Sequence, residues 1–398
     1  MKALYVDNRL DKILALKATS RINRMAALGP LSPLRYAKVP EPDLPGPNWL
    51  KVRNISCGLC GTDIHLVFMD MDPKCFPAAL PGLPRIYLGH EVVGEVTQVG
   101  AGVDTVSPGD RVALRVDWPS CFQMELMPPC RQCADGSYML CERLGVKELP
   151  RDTGGGFSPW MVLHKSQPFV VPAQLGLEDA LLIEPTAVAV HSVNRAELKA
   201  SDRILVIGAG TIGLLLVAVL RRKFPDAIIE CLARHPYQQA LAERMGATVV
   251  SSEGNLYARI AQRTGARHIR GYLGNEILLG GYDVIFDSVG NDRTLQDGLR
   301  WVKGGGQLVL VGINFAPGKI DYTPIWNQEI SVLGVNSHGT EADGRDSFEY
   351  AAELLLKGLV TPADFITHRF PMKHYKKAIK TFLDKKQSRA VKIVLDHA

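Results

Sequence analysis

Residues 203–224 read RILVIGAGTIGLLLVAVLRRKF, and this stretch decides the fold of its half of the chain. A short apolar run ends in glycines, and the residues that follow have helical spacing. Gly208, Gly210 and Gly213 have the spacing G-x-G-x-x-G, which permits a tight turn, a close approach of backbone to a pyrophosphate and close packing of helix on strand. The pattern predicts a dinucleotide site, whereas a glycine turn without a ligand is the alternative for an isolated match.

The alternation of apolar strands and helices continues after this stretch, with AIIECLA, ATVVSS, YDVIFDSVG and GQLVLVGI as strands. Buried strands separated by helices predict a doubly wound parallel sheet of the α/β class. We assign residues 186–330 to this dinucleotide-binding domain. Residues 1–185 are rich in Pro, Gly, Cys and short β-type runs, and predict a mostly β domain to which residues 331–398 return. Two domains also agree with a length of 398 residues.

The end of the second strand indicates which dinucleotide binds. An acid for the ribose hydroxyls of NAD is expected about 20 residues after the glycines, but the sequence has Ala233, Arg234 and His235 there. A guanidinium attracts a 2′-phosphate, so NADP is favoured over NAD. The alternative is that Arg234 only lies on a solvated loop and either cofactor is accepted. The predicted cofactor contacts, including two loops at strand ends for the nicotinamide, are Gly208, Gly210, Thr211, Ile212, Gly213, Arg234, His235, Val289, Gly312 and Ile313.

Composition excludes several classes of protein. The formal net charge is +5, and the basic residues are scattered, so a nucleic-acid partner is not expected. No signal peptide and no membrane span is expected, which predicts a cytoplasmic protein without a membrane partner. Eight cysteines in a reducing compartment indicate metal binding rather than disulfides.

Residues 57–65 read CGLCGTDIH and contain the first candidate metal ligands. Cys60 and His65 in this stretch are followed by His90 and Glu91 in a GHE sequence and by Glu184 in an IEP sequence. Thiolate, imidazole and carboxylate are the ligands of a zinc ion that keeps one position open for water or substrate. The set therefore predicts a catalytic zinc.

The motifs CGLCGTDIH, GHEVVGEVTQVG, GDRV, GGF, EPTAVAVHS and GAGTIG, in this order, resemble the zinc-dependent medium-chain alcohol and polyol dehydrogenases. The resemblance implies a GroES-like catalytic domain beside a Rossmann domain. It places the catalytic zinc on Cys60 and His90. In the sorbitol, threonine and butanediol dehydrogenase branch, Glu91 is the usual close ligand, and Glu184 lies beside the metal or binds it through water. The alternative is that Glu91 pairs with a buried basic group.

A second cysteine cluster, Cys130, Cys133 and Cys141, has the spacing C-x₂-C-x₇-C. It resembles the structural zinc lobe of the family, in which four cysteines close a tetrahedral site. The first cysteine of the family falls on Met127 here, and the nearest spare thiol is Cys121. We expect Cys121 to be the fourth ligand, with a lobe of free thiols and an incomplete or absent metal as the alternative.

The resemblance also implies roles for other residues. Thr62 would accept the proton of the alcohol and pass it through the cofactor ribose, and His65 would deliver it to water. Asp63 is expected to cap the turn, and His191 to be a core or second-layer histidine. The expected reaction is hydride transfer between a secondary alcohol (a polyol, sugar or amino alcohol) or its ketone and NADP or NAD. We expect a homodimer or homotetramer. The alternatives are a biosynthetic NADPH-dependent ketone reductase and a non-catalytic nucleotide-binding protein of this fold.

Overall fold

The computed structural model describes residues 1–79, 83–115 and 119–397. The chain divides into two compact units. Unit 1 contains Met1–Glu184 and Pro362–Ala398, and unit 2 contains Pro185–Thr361.

The regular elements have the following bounds. The strands are β1 (Lys2–Asp7), β2 (Leu34–Lys38), β3 (Trp49–Leu59), β4 (Arg85–Tyr87), β5 (Glu91–Val99), β6 (Arg111–Leu114), β7 (Trp160–His164), β8 (Pro168–Val170), β9 (Arg203–Ile207), β10 (Ile228–Ala233), β11 (Thr248–Ser251), β12 (Arg267–Arg270), β13 (Glu276–Leu279), β14 (Tyr282–Asp287), β15 (Val302–Leu310), β16 (Ser331–Gly334), β17 (Ile366–Pro371) and β18 (Lys392–Asp396). The helices are α1 (Leu10–Ser20), α2 (Gly61–Phe68), α3 (Arg131–Ala134), α4 (Leu177–Ala180), α5 (Ile183–Arg195), α6 (Thr211–Lys223), α7 (Pro236–Arg244), α8 (Leu256–Thr264), α9 (Asp292–Trp301), α10 (Thr323–Asn327), α11 (Ser347–Leu356), α12 (Pro362–Phe365), α13 (Tyr375–Leu383) and α14 (Lys385–Ser388).

Unit 2, every residue of which is described, is built on a parallel sheet with the order β11-β10-β9-β14-β15-β16. Counted along the chain this is the strand order 3-2-1-4-5-6 of the Rossmann fold, which confirms the predicted fold class. The order reverses between β9 and β14, so the loops after these two strands form the place where such folds bind ligands. Before β14, the strands β12 and β13 form an antiparallel hairpin outside this sheet.

Two glycines explain the turn between β9 and α6. Gly208 has a φ of +95°, a left-handed conformation that L side chains rarely adopt. A Cβ at Gly213 would lie 1.9 Å from the carbonyl oxygen of Gly208, so only glycine lets the first turn of α6 pack on the end of β9. The apolar residues after the turn, Leu214 to Leu220, are buried. This is the local structure that the sequence predicted.

Unit 1 contains a mostly antiparallel sheet with the order β17-β18-β3-β5-β6-β8, in which β7 also pairs with β3. A smaller sheet has the order β2-β1-β4. Apolar side chains of β3, β5 and β18, such as Leu50, Val92 and Ile393, share one core with α2 and α13. The long strand β3 therefore lies at the centre of the sheet, and its C-terminal end pairs with β18 on one side and with β5 on the other.

The place where the chain returns to unit 1 differs from the predicted residue 331. The segment ISVLGVNS forms β16, which pairs in parallel with β15 and extends the sheet of unit 2. Helix α11 also belongs to unit 2, and the chain returns at Pro362. The sequence does not reveal this because an apolar strand at the edge of a sheet has the same pattern in either unit.

Candidate functional site

The first candidate site lies where β3 ends. Cys60 follows β3 directly and precedes α2, while His90 and Glu91 lie at the start of the neighbouring strand β5. The antiparallel register places Gly58 opposite Glu91, which brings the two stretches together. The ligand atoms of Cys60, His90 and Glu91 lie within 4.8 Å of one another. We call these three residues the mixed triangle.

The side chain of Asp63 links the loop that carries Cys60 to the loop before His90. The backbone N–H of Cys60 donates to Asp63 Oδ2 at 3.0 Å, and the backbone N–H of Gly89 donates to Asp63 Oδ1 at 2.9 Å. Burial raises the pKa of Asp63, against the attraction of His90 and these two hydrogen bonds. The prediction that Asp63 caps the turn is confirmed, and its second bond also fixes the residue before His90.

Glu91 pairs with a buried basic group, as the alternative from the sequence had it, although the sequence did not identify which residue this is. Lys392, the first residue of β18, has its Nζ 2.6 Å from Oε1 and 2.5 Å from Oε2 of Glu91. Both side chains are almost fully buried, with 4% and 1% of their surfaces exposed. Burial alone would lower the pKa of Lys392, but the attraction of Glu91 outweighs it and the pKa lies above its ordinary value. Glu91 is therefore both a corner of the mixed triangle and one half of a buried ion pair.

Glu184 is not a corner of the triangle among the described residues. It lies in the first turn of α5 and is half-buried. Its charge nevertheless contributes to the raised pKa of Lys392. The position of Glu184 beside the metal stays a prediction.

Thr62 and His65 lie on the first two turns of α2, next to Cys60. The Oγ1 atom of Thr62 is 3.8 Å from the Sγ atom of Cys60. His65 Nδ1 lies 2.8 Å and 3.0 Å from the two carboxylate oxygens of Asp70. Asp70 was not predicted as a site residue, although it follows His65 by only five residues and lies two residues after the end of α2. A carboxylate on Nδ1 fixes the orientation and tautomer of an imidazole.

The second cluster consists of Cys121, Cys130, Cys133 and Cys141, which we call the cysteine lobe. Their sulfur atoms lie within 4.8 Å of one another, all four residues are buried, and none forms a disulfide. Backbone N–H groups point at the sulfurs, since that of Cys130 donates to Cys121 Sγ at 3.3 Å and that of Cys121 donates to Cys133 Sγ at 3.5 Å. Met127, at the position of the family cysteine, is 74% exposed. The structure thus brings the predicted fourth thiol to the other three.

Three of the predicted cofactor contacts, Gly208, Val289 and Gly312, lie just after the carboxyl ends of β9, β14 and β15 in unit 2. A Cβ at Gly208 would lie 2.6 Å from the side chain of Val289, and a Cβ at Gly290 would lie 2.1 Å from the backbone of Gly312. The loops after the three strands therefore touch. A Cβ at Gly210 would meet open space, so this glycine leaves room at the start of α6 for a phosphate.

Arg234 and His235 follow β10, the strand next to the turn. Arg234 is exposed, while His235 precedes α7 and stacks on Tyr237 with the ring centroids 5.8 Å apart. Thr211 and Ile212 lie in the first turn of α6. Ile313 is 59% exposed on the loop after β15.

His191 and the three cysteines outside the two clusters have ordinary surroundings. His191 lies in unit 2, where its Nδ1 is 3.1 Å from Glu341, in agreement with a core or second-layer role. Cys57 and Cys231 are buried, and Cys75 is partly exposed. Within the described residues, no helix has both the length and the apolar character needed to cross a membrane.

Two family models match the chain and together cover more than half of it. The alcohol dehydrogenase GroES-like domain matches residues 46–174, and the zinc-binding dehydrogenase domain matches residues 211–357. (R,R)-butanediol dehydrogenase of Bacillus subtilis (strain 168) is 29% identical over 343 residues, which cover 84% of this chain and 89% of the relative. Sorbitol dehydrogenase of the same organism is 26% identical over 353 residues, with 88% and 90% covered. A solved structure of a candidate zinc-binding dehydrogenase from Sinorhizobium meliloti 1021, bound to NADP, is 28% identical with a TM-score of 0.69, and the likeness covers 91% of this chain and 95% of that one.

Proposed function

The chain belongs to the zinc-dependent medium-chain alcohol and polyol dehydrogenase family, and from this premise we propose that it acts on a secondary hydroxyl group of a polyol, sugar or amino alcohol, or on the matching ketone, with NADP(H) as the favoured cofactor. Members of this family are oxidoreductases that move hydride between a small alcohol or ketone and a nicotinamide. The observation that supports the proposal most directly is the mixed triangle of Cys60, His90 and Glu91.

The mixed triangle fits a catalytic zinc. One thiol, one imidazole and one carboxylate are a donor set that zinc accepts, and three protein ligands leave a position for substrate. We assign Cys60, His90 and Glu91 as the residues that hold it, with Glu184 beside it. Zinc at this place supplies the Lewis acidity that lets an alcohol lose its proton near neutral pH.

Thr62 and His65 are proposed to handle the proton. Thr62 Oγ1 lies next to Cys60 and is placed to accept the proton of an alcohol held at the triangle. His65 is partly exposed, so it can pass a proton to water. Asp70 holds the imidazole of His65 in one orientation. The turn of Gly208, Gly210 and Gly213 is proposed to hold the pyrophosphate of a nicotinamide dinucleotide, which would supply the hydride chemistry when bound.

The cysteine lobe fits a structural zinc. Four buried thiols within 4.8 Å of one another can close a tetrahedral site. Backbone N–H groups that donate to the sulfurs stabilise the thiolate forms that zinc needs. We assign Cys121, Cys130, Cys133 and Cys141 as its ligands, and their role is stability rather than catalysis.

We further propose a cytoplasmic homodimer or homotetramer. All eight cysteines are free, as expected in a reducing compartment.

The strand β16 lies at the end of the strand order in unit 2, and the side chains of Tyr322 and Trp326, which precede it in sequence, are 71% and 81% exposed. An exposed strand edge with large apolar neighbours favours pairing with a second copy. Measuring the mass in solution tests this, and a monomer at micromolar concentration would contradict it.

The function is tested by metal analysis and by turnover. Purified protein is expected to retain zinc and to change nicotinamide absorbance with members of a panel of polyols, sugars, amino alcohols and their ketones. Zinc-replete protein that turns over nothing in such a panel would favour the non-catalytic alternative.

The cofactor preference is tested with Arg234→Ala. If Arg234 binds a 2′-phosphate, kcat/KM with NADP falls about tenfold, the equivalent of one charge-assisted hydrogen bond, while kcat/KM with NAD stays unchanged. The matched control is Arg222→Ala, a basic residue in the last turn of α6. Equal losses with both cofactors would remove the assignment of Arg234 to the 2′-phosphate.

A further inference from the structure

Glu91 and Lys392 are 301 residues apart in sequence, and both side chains are almost fully buried. Taking two charges out of water is costly, and an apolar pair of the same size is often as stable as a buried ion pair. A structural role alone therefore gives this pair little advantage over two apolar residues. Its position is what distinguishes it, because one partner is also a corner of the mixed triangle.

Three neighbouring strands create the contact. Strand β3 lies between β18 and β5, with Val394 opposite Gly58 on one side and Glu91 opposite Gly58 on the other. A Cβ at Gly58 would lie 2.0 Å from Glu91 Oε2. The missing side chain at Gly58 leaves the space that the carboxylate of Glu91 occupies beside Lys392.

The ammonium of Lys392 engages both oxygens of Glu91, at 2.6 Å and 2.5 Å. A carboxylate whose two oxygens are held by a cation is a weaker donor to a metal than a free carboxylate, since each oxygen shares its negative charge. A positive charge at this place also opposes the binding of a divalent cation nearby. Lys392 thus weakens the hold of the triangle on a metal.

We propose that Lys392 is a positioning residue that keeps Glu91 a weak third ligand, so that the metal retains enough Lewis acidity and an open position for substrate. This inference rests on the proposed function, because it requires a metal at the mixed triangle. Its consequence is opposite to that of an ordinary supporting residue, since loss of Lys392 tightens metal binding while it weakens turnover.

The test compares Lys392→Met with the wild type and with Lys392→Arg. Apparent zinc affinity is measured by competition with a chelating dye, and kcat and KM are measured with an alcohol that the wild type oxidises. Residues that support metal ligands change affinity or activity by about 10–100-fold when replaced. For Lys392→Met we expect zinc affinity to rise about tenfold and kcat/KM to fall about tenfold or more. Lys392→Arg, which keeps the charge, is expected to restore most of both.

A spectroscopic readout separates ligation from general damage. Co²⁺ substituted for zinc is expected to give a different absorption spectrum in Lys392→Met, because the carboxylate of Glu91 is a stronger ligand without Lys392. Arg53→Met is the matched control, since Arg53 of β3 forms an exposed ion pair with Glu95, which lies on the same strand β5 as Glu91. It should leave zinc affinity, spectrum and turnover unchanged.

The double variant Glu91→Gln with Lys392→Met keeps the proposal testable if the single variant does not fold, because it leaves no unpaired buried charge. If Lys392 acts through Glu91, adding Lys392→Met to Glu91→Gln changes zinc affinity by less than about threefold, well below the 10–100-fold range for supporting residues. An equal change in both backgrounds overturns the proposal, as does weaker zinc binding in Lys392→Met. A wild type without metal-dependent turnover would contradict the proposed function instead, so the two failures are distinguishable.

Discussion

The mixed triangle and the cysteine lobe are both candidate metal sites of unit 1, and they differ in every property that decides what a bound metal can do. The lobe offers four buried sulfurs of one type and no charged partner among its described hydrogen bonds. The triangle offers three different ligands, one of which is paired with a lysine, and it has Thr62 and His65 beside it. A site with four protein ligands has no position for substrate, whereas a site with three does. The number and charge of the ligands, rather than the presence of a metal, therefore distinguish a candidate catalytic site from a candidate structural site.

The largest effect should come from removing a corner of the triangle. Cys60→Ala is expected to lower kcat by about 10³-fold or more, because the Lewis acidity of zinc is worth several kcal/mol and each 1.36 kcal/mol is tenfold in rate. Dinucleotide binding, measured by fluorescence of the reduced cofactor, should remain, since the proposed dinucleotide turn lies in unit 2. Turnover near the wild-type level would show that the triangle is not catalytic.

Removing a thiol of the cysteine lobe should have the next largest effect, and it should lower stability rather than turnover. Cys121→Ser is expected to lower zinc content and the free energy of unfolding by about 3 kcal/mol, a part of the roughly 10–16 kcal/mol measured for structural zinc in small peptides. The kcat of the folded fraction should change little. Metal analysis and denaturant unfolding measure both quantities.

Met127→Ala is the control for the lobe, because Met127 occupies the position of the family cysteine but is exposed. It should leave zinc content and stability unchanged. Loss of zinc in the Met127 variant, with zinc retained in Cys121→Ser, would reverse the assignment of the fourth ligand.

The smallest effect concerns the neighbours of the triangle. Asp70→Asn keeps a partner for His65 but removes the negative charge that orients and stabilises the imidazole. We therefore expect kcat to fall about tenfold, less than the roughly 10²–10⁴-fold that a proton-transfer group itself contributes. Asp72→Asn is the matched control, since the carboxylate of Asp72 accepts from the backbone N–H of Lys74 and not from His65. Steady-state kinetics at several pH values measure the difference. Equal effects of the two variants would remove Asp70 from the proton path.

Local sequence predicted the dinucleotide turn well and the triangle in part. Gly208 and Gly213 could be assigned because their roles depend on residues within six positions of each other. Cys60, His90 and Glu91 could be assigned as candidates because their residue types match zinc. Lys392 could not be assigned, since its contact with Glu91 depends on the register of β18 against β3 and of β3 against β5.

The cysteine lobe lies between these cases. The spacing of Cys130, Cys133 and Cys141 indicates a zinc site by itself, but Cys121 is eight intervening residues away from Cys130. The pattern of the intervening residues does not predict whether the chain turns back to bring Cys121 near Cys130. The structure does turn it back, so the fourth thiol lies among the other three.

The fold class, the dinucleotide turn and the chemical types of the candidate metal ligands could be predicted from the residues alone, because these depend on residue identity and on periodicity over short distances. Only the tertiary structure decided that residues 331–361 belong to unit 2, that Cys121 completes the lobe and that Glu91 is paired with Lys392. The physical reason is that strand pairing and burial join residues that are far apart along the chain. The energy of such a contact depends on register and on the loss of water, and neither is written in the local pattern.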